Sequence, residues 1–475
     1  MGLFITRSID ALNKETEEVE GPRLRRALGP WQLIAFGLGS MIGGGIFATL
    51  GLGVHTYAGP AVVISFLVAG LACVFAAFAY AEIASMVPVA GSAYTYTYAT
   101  LGEFIAWIVG WNLILEYALS AAPDANIFSA NMQQALASFN IHLPLWATAF
   151  YSPGQHTYFD VIAFGICVLI GILVAIGIRE SASTNSVLVV IKMGVLVLFV
   201  LGSIPFFHSS NLHPFAPHGW QGIFGAAFIV FFAFIGFDAI TVTAEEANNP
   251  QRDVPIAILG SLGIGTVFYI SVAIALTSIA AAPSVSENTP LASAWQAVGL
   301  GKFAGIMWFG AWVSAVTIIL TAFLGQARIF YVMARDGLLP KGVAKIHPVF
   351  RTPAATTLIM SIVVGILAAL FDLNSLIDFV NIGTLAAFIC VCIGVIILRY
   401  TQPDRPRKFK SPFVPWFPAL GVILSVALVF FGGALTWWRF AIWMVIGLLI
   451  YAFYGYNHSE ARKAALANSA KNAGS

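Results

Sequence analysis

Apolar runs of about 20 residues, the length that crosses a ~30 Å hydrocarbon core, recur twelve times along this 475-residue chain and leave it little choice but a stack of membrane-spanning helices. They fall near 31–56, 60–87, 104–136, 159–178, 183–206, 220–246, 255–281, 303–334, 354–371, 375–399, 414–433 and 437–456. Each run is continuous and does not alternate apolar with polar, which excludes a β-barrel. Hydrophobic residues make up 59% of the chain and charged residues 9%, against roughly 45–50% and about 25% in soluble domains. A water-soluble interior of this size could not hide so much apolar surface. The expected fold is all-α and integral to the membrane, with 12 transmembrane helices.

Charge sets the orientation. Arg7, Lys14, Arg23, Arg25 and Arg26 precede the first run, and no cleavable leader pattern comes before them. Twenty of the 23 Lys and Arg residues lie on the N-terminal side, only Lys302 and Arg439 lie opposite, and Lys192 sits inside the fifth run. The positive-inside rule then places both termini in the cytoplasm, with the chain in the cell membrane. Cys73, Cys167, Cys390 and Cys392 all fall in apolar runs with neither metal nor disulfide spacing. His208, His213 and His218 recur in one loop, but Pro214, Pro217 and the loose spacing read as solvated chain, so no metal and no cofactor is expected.

Two runs are interrupted at their middles. The first carries "GLGSMIGGGIF", Gly37 to Phe47; the second carries "FFAFIGFDAITVTAEE", Phe231 to Glu246. From Gly43 to Gly236 is 193 residues, and the same step carries the end of the fifth run near Leu201 to Gly394 in the tenth. A unit of five crossings repeats inverted, because an odd number flips the second copy. Paired interruptions in two such halves point to a transport site at the bilayer midplane. The chain divides into an N-terminal tail (1–30), a first repeat (31–206), an inverted second repeat (220–399), two added helices (414–456) and a C-terminal tail (457–475) that reads as disordered. Gly37 and Gly39 suit close helix packing as well as function. The run Gly43, Gly44, Gly45 reads as functional: unwound N–H groups at a half-helix start face an anion, with the helix dipole behind them. Exposed carbonyls can hold an ammonium, and a zwitterionic α-amino acid offers both charges.

The first interruption, "AGPAVVISFLVAGLACVFAAFAYAEIASMVPVAGSAYTYTYATLGEFIAWIVGWNLILEY", "FFAFIGFDAITVTAEEANNPQRDVPIAI" and "GQARIFYVMARDGLLP" together resemble the amino acid–polyamine–organocation superfamily. The likeness runs over residues 24–456 and is closest to the bacterial relatives of cationic amino acid transporters. It implies a five-plus-five inverted repeat, a mobile bundle of spans 1, 2, 6 and 7, and a scaffold of spans 3–5 and 8–10. It also implies substrate contacts at Met41, Ile42, Gly43, Gly44 and Gly45 in span one and at Phe232, Ala233 and Ile235 in span six, with Phe232 as an aromatic lid. The family often has a small hydroxyl residue or alanine where Gly44 stands, so carboxylate binding here would rest on backbone N–H alone.

Five ionisable residues fall within runs: Glu82, Glu116, Asp124, Lys192 and Asp238. At roughly 2.5–3.5 kcal/mol each, leaving them unpaired would consume a net stability of about 5–15 kcal/mol. Lys192 is a lone ammonium that can substitute for the sodium ion of related folds, with Thr317 as the neighbour the resemblance implies; it reads as a proton carrier or as a fixed cation. Glu116 and Asp238 read as cavity or pairing acids. Asp124, two turns past Glu116 and just after Pro123, suits either a cationic substrate or a watery outer vestibule. Glu82 reads as helix-terminal, and Glu245, Glu246, Arg252 and Asp253 as a loop that salt-bridges to Arg328 or Arg335 when the inner gate closes.

Clustered catalytic residues are absent, so an enzyme is not expected. A channel would show a charged ring or filter loops. The expected function is a secondary active permease importing small neutral and/or cationic L-amino acids by alternating access, proton-coupled and sodium-independent. An amino-acid exchanger and a polyamine or amine transporter of the same fold remain open alternatives. Expected partners are the L-amino acid, protons and membrane lipid, with no nucleic acid; a small membrane subunit is left open.

Overall fold

The computed structural model describes residues 5–7, 28–87, 92–177, 182–350 and 352–463. Lys14, Arg23, Arg25, Arg26, Arg179, Arg351 and Lys471, which helped to orient the chain, lie outside the described residues, as does the side chain of Glu245. The helices are α1 (Pro30–Met41), α2 (Gly44–Leu52), α3 (Val62–Met86), α4 (Ser92–Thr100), α5 (Glu103–Ser138), α6 (Val161–Ala175), α7 (Ala182–Ser203), α8 (Gly219–Val230), α9 (Pro250–Ile279), α10 (Pro290–Ala297), α11 (Ala304–Arg335), α12 (Ala354–Leu370), α13 (Leu373–Thr401), α14 (Trp416–Phe430) and α15 (Gly433–Ile450). Extended pairing among the described residues amounts to two isolated bridges, Leu28 with Ala247 and Ser152 with Thr157. Helices dominate because hydrocarbon offers the backbone no partners of its own.

Among the described residues, eight helical stretches are long and apolar enough to cross a membrane, and α6, α12 and α14 are shorter apolar helices. Local chemistry marks their ends. Pro30 and Pro250 open α1 and α9, where a missing N–H does no harm. Asp160 caps α6 by accepting from Ala163 N at 2.9 Å, and Asp372 caps α13 by accepting from Ser375 N at 2.9 Å.

Two groups of helices form. One packs α9 against α1 and α3, and α8 against α3; the other packs α5 against α11 and α13, and α6 against α12. Small residues let the backbones approach: a Cβ on Gly171 of α6 would overlap the Ser361 side chain of α12.

Both ends of the described chain meet at one face, consistent with an even number of crossings. Arg7 donates to Asp336 at 2.9 Å, Tyr94 donates to the same carboxylate at 2.7 Å, and Glu460 N donates to the Asp336 carbonyl at 3.1 Å. The tail expected to be disordered from residue 457 is instead docked through residue 463. The cause is Glu103, fully buried at the start of α5. It accepts from Tyr98 at 3.1 Å, Tyr451 at 2.8 Å and Ser459, and it pairs with Arg462 at 3.3 Å. A buried carboxylate needs a counter-charge, and the tail supplies it; Arg462 also stacks on the Tyr456 ring, 3.6 Å from its centre.

Candidate functional site

The first interruption is narrower than the glycine run suggested. α1 ends at Met41, Ile42 and Gly43 bridge the gap, and Gly44 already begins α2. Ile42 N donates to Leu38 O at 2.8 Å and Gly43 N to Met41 O at 2.9 Å. The glycines are there for space more than for unwinding. A Cβ on Gly43 would lie 2.5 Å from Ile318 Cγ1, one on Gly44 2.7 Å from Asp124 Oδ1, and one on Gly45 2.9 Å from Ala233 Cα. Three consecutive positions thus press on three different elements. Gly37 and Gly39 serve packing: their Cβ atoms would lie 2.5 Å from Ile240 Cδ1 and 2.7 Å from Asn185 Oδ1.

The second interruption winds tightly through Phe231–Phe234, turns extended at Ile235 and passes Gly236, whose φ of 114° only glycine adopts readily. Phe237–Glu246 continues as a 3-10 segment. A Cβ on Gly236 would run into the Ser40 carbonyl. Each interruption therefore places a glycine against the backbone of the other, and the two broken helices cross at these points.

Between them lies a cavity of about 50 Å3. Met41, Gly43 and Gly45 line it from the first interruption, Phe232 and Ile235 from the second, and Glu116 and Asp124 from α5. Ser40, Tyr117, Ser120, Gly236, Ala239, Ile318, Thr321 and Ala322 complete the wall. Ile42, Gly44, Ala233, Asp238, Lys192 and Thr317 stand outside the wall, although all six are buried.

Asp124 does not face an outer vestibule. It is 1% exposed and its Oδ1 accepts from Gly44 N at 2.7 Å. Glu116 is 2% exposed, and its Oε2 finds no hydrogen-bond partner among the described residues. Asp238 accepts from Ser92 at 3.3 Å and leaves Oδ1 unpartnered among the described residues. Lys192 is fully buried, and its Nζ donates to the Gly39 carbonyl in the last turn of α1 at 3.0 Å. Thr317 is buried too, and its hydroxyl donates to Ser314 O within α11 at 2.9 Å. Of the inner-gate pairs, Arg328 approaches Glu246 at 3.7 Å, with the two side chains 41% and 30% exposed. Such a partly hydrated pair adds little stability.

Tyr269 of α9 went unnoticed in the sequence. Its hydroxyl lies 3.0 Å from Met41 O and 2.6 Å from Ala233 O, the carbonyls that end the two interrupted helices. Its ring packs on Phe66 and Phe234. A buried tyrosine needs a partner for its hydroxyl, and this one in an apolar run was the available signal. Glu82 lies near the end of α3, as expected. It is fully buried and holds Arg399 through two bonds of 2.7 and 2.9 Å, Arg407 at 3.1 Å and Ser411 N at 2.8 Å.

Two interrupted helices cross over a small acid-lined cavity; comparison with known sequences supplies the family. The amino acid permease family matches residues 28–451. The chain belongs to that family. It is 42% identical to the branched-chain amino acid permease BcaP of Bacillus subtilis over 442 residues, 92% of this chain and 94% of that protein. It is 38% identical to the methylthioribose transporter of Bacillus subtilis over 461 residues, 97% and 99% of the two chains. The vacuolar cationic amino acid transporter 4 of Arabidopsis thaliana is 29% identical over 564 aligned positions, 93% of each chain. Membership in a transporter family fits the expectation of a non-enzyme that crosses the membrane several times.

The crossing point gives a direct test. In Gly45→Ala the new methyl meets backbone at Ala233 Cα, which cannot swing aside as a side chain would. Overpacking of this kind destabilises by about 1–3 kcal/mol, so the thermal midpoint in detergent should fall and uptake should be lost. Gly165→Ala in α6, where nothing lies within 4 Å of the added Cβ, should leave both unchanged or raise the midpoint.

Proposed function

We propose that the protein is a secondary active permease, working by alternating access, that imports small solutes bearing an amino group, with neutral and cationic L-amino acids as the family's expected cargo. Protons drive it and sodium does not. The observation that carries this reading is the bond from Lys192 to Gly39 O. It joins α7 of the scaffold to the end of α1 in the bundle through one buried ammonium.

A fixed positive charge at that joint does what a bound cation would do: it holds the first half-helix against the scaffold. When Lys192 gives up its proton the charge-assisted bond weakens and α1 is released to tilt with α3, α8 and α9. Protonation and bundle position then bias each other, which is the thermodynamic content of coupling. Phe232 closes the cavity on its bundle side. The orientation follows from the charge asymmetry, with both termini cytoplasmic.

Proteoliposomes loaded with a pH-sensitive dye test this. Adding alanine or arginine outside should acidify the interior, to the same extent in sodium, potassium or choline buffer. Dependence on sodium would exclude the role assigned to Lys192. An exchanger is the second outcome of the same assay: uptake without acidification, and only into vesicles preloaded with amino acid.

A further inference from the structure

A zwitterionic ligand was expected to place its carboxylate on the N–H groups of Gly43 to Gly45 and its ammonium on the carbonyls of the interrupted helices. The protein already occupies the N–H groups of Gly43 and Gly44 and sets a hydroxyl against the carbonyls of Met41 and Ala233. Gly43 N donates to Met41 O at 2.9 Å and Gly44 N to Asp124 Oδ1 at 2.7 Å, while the hydroxyl of Tyr269 lies within bonding distance of Met41 O and Ala233 O. The seat at Gly44 is fitted to Asp124, since a Cβ there would lie 2.7 Å from Oδ1. A ligand's carboxylate entering beside Asp124 would set two anions together where little water relieves their repulsion.

The cavity offers a cation the opposite reception. Asp124 and Glu116 both line it, and among the described residues no Lys, Arg or His does. Asp124 uses one of a carboxylate's roughly four acceptor positions on Gly44. Glu116, on the same helix and 2% exposed, has an oxygen with no partner among the described residues. The Nζ of Lys192 is engaged with Gly39 outside the cavity wall. A primary ammonium brings three donors to Asp124, which has acceptor positions left for them, with Glu116 about two turns away along the same helix.

We propose that Asp124 supplies from the protein the carboxylate that an α-amino acid would bring, so that the cavity binds a primary amine more tightly than the amino acid differing from it only by its α-carboxylate. This rests on the reading of the protein as a permease for amino compounds and names the preferred class among them. Asp124 is then a specificity-determining residue that touches the ligand's ammonium, and Gly44 is the position that holds it in place.

Matched pairs test it: agmatine against arginine, cadaverine against lysine and 3-methylbutylamine against leucine. Each is measured by the thermal shift of the purified protein and by competition with labelled arginine uptake in proteoliposomes. Each amine should bind about tenfold or more tightly than its partner, the effect of one charge-assisted hydrogen bond. Asp124→Asn, which keeps the shape and removes the charge, should reverse the order. Amino acids that outbind their amines in the native protein, with transport intact, would overturn this proposal alone. An order unchanged by Asp124→Asn would overturn it as well. If that variant does not fold, the ranking in the native protein still decides. Failure to bind or carry any member of either series would sink the permease reading together with this one.

Discussion

Glu82→Ala is expected to lower the stability of the protein by about 3–5 kcal/mol, the effect of removing one partner from a buried ion pair. Glu82 is fully buried near the end of α3 and ties three segments that are far apart in sequence. Arg399 from the last turn of α13 grips both carboxylate oxygens, and Arg407 and the Ser411 amide approach from the loop leading to α14. Arg407 is further fixed by the carbonyls of Pro403, Arg405, Leu398 and Gln402 at 2.7–3.1 Å, so it cannot swing out to water when its partner is lost. The truncation leaves two guanidinium groups against one vacated position. Thermal unfolding in detergent should show a large fall in midpoint for Glu82→Ala and a smaller one for Glu82→Gln, which keeps one acceptor oxygen but not the charge. A midpoint within a degree of the native protein's would mean that the cluster is hydrated and structurally idle.

The second large effect is on transport. Lys192→Ala removes the bond from the α7 ammonium to the first half-helix, and it leaves the Gly39 carbonyl without its cation. Proton-driven uptake should disappear in the variant, while any remaining exchange should no longer respond to a pH gradient. Lys192→Arg separates charge from proton transfer, because a guanidinium stays charged at all accessible pH. If Lys192 carries the proton, the arginine variant should fold normally and exchange but fail to concentrate substrate. A variant that still concentrates substrate would reduce Lys192 to a fixed structural cation.

How far the sequence could be read follows from how far apart the partners lie. The apolar helices, the two interruptions and the charge of Lys192 inside an apolar run are local signals; the structure has both interruptions and the buried lysine, with eight long apolar helical stretches and three shorter ones among the described residues against twelve expected spans. Gly44 and Asp124 are 80 residues apart, and Glu82 and Arg399 are 317 apart. No single-sequence pattern joins positions at such separations, so the acids could be flagged as needing partners but not given them. The glycine run was misread in its cause. Consecutive glycines mean either loosened backbone or closely approached backbone, and only the neighbours Ile318, Asp124 and Ala233 decide between the two. Tyr269 was missed because a tyrosine in an apolar helix has no periodic signature; its role appears only when Met41 O and Ala233 O are brought to its hydroxyl. The docked tail was missed for a similar reason: residues 457–463 are polar, and their fixing depends on a buried acid more than 350 positions earlier.

Uptake of labelled alanine and arginine into liposomes containing the purified protein, with and without an inward proton gradient and in the absence of sodium, tests the account most directly. Accumulation above equilibrium that appears with the gradient, collapses with a protonophore and is absent in Lys192→Ala is the predicted result. Uptake indifferent to the gradient, or equal in the native and Lys192→Ala proteins, would contradict it.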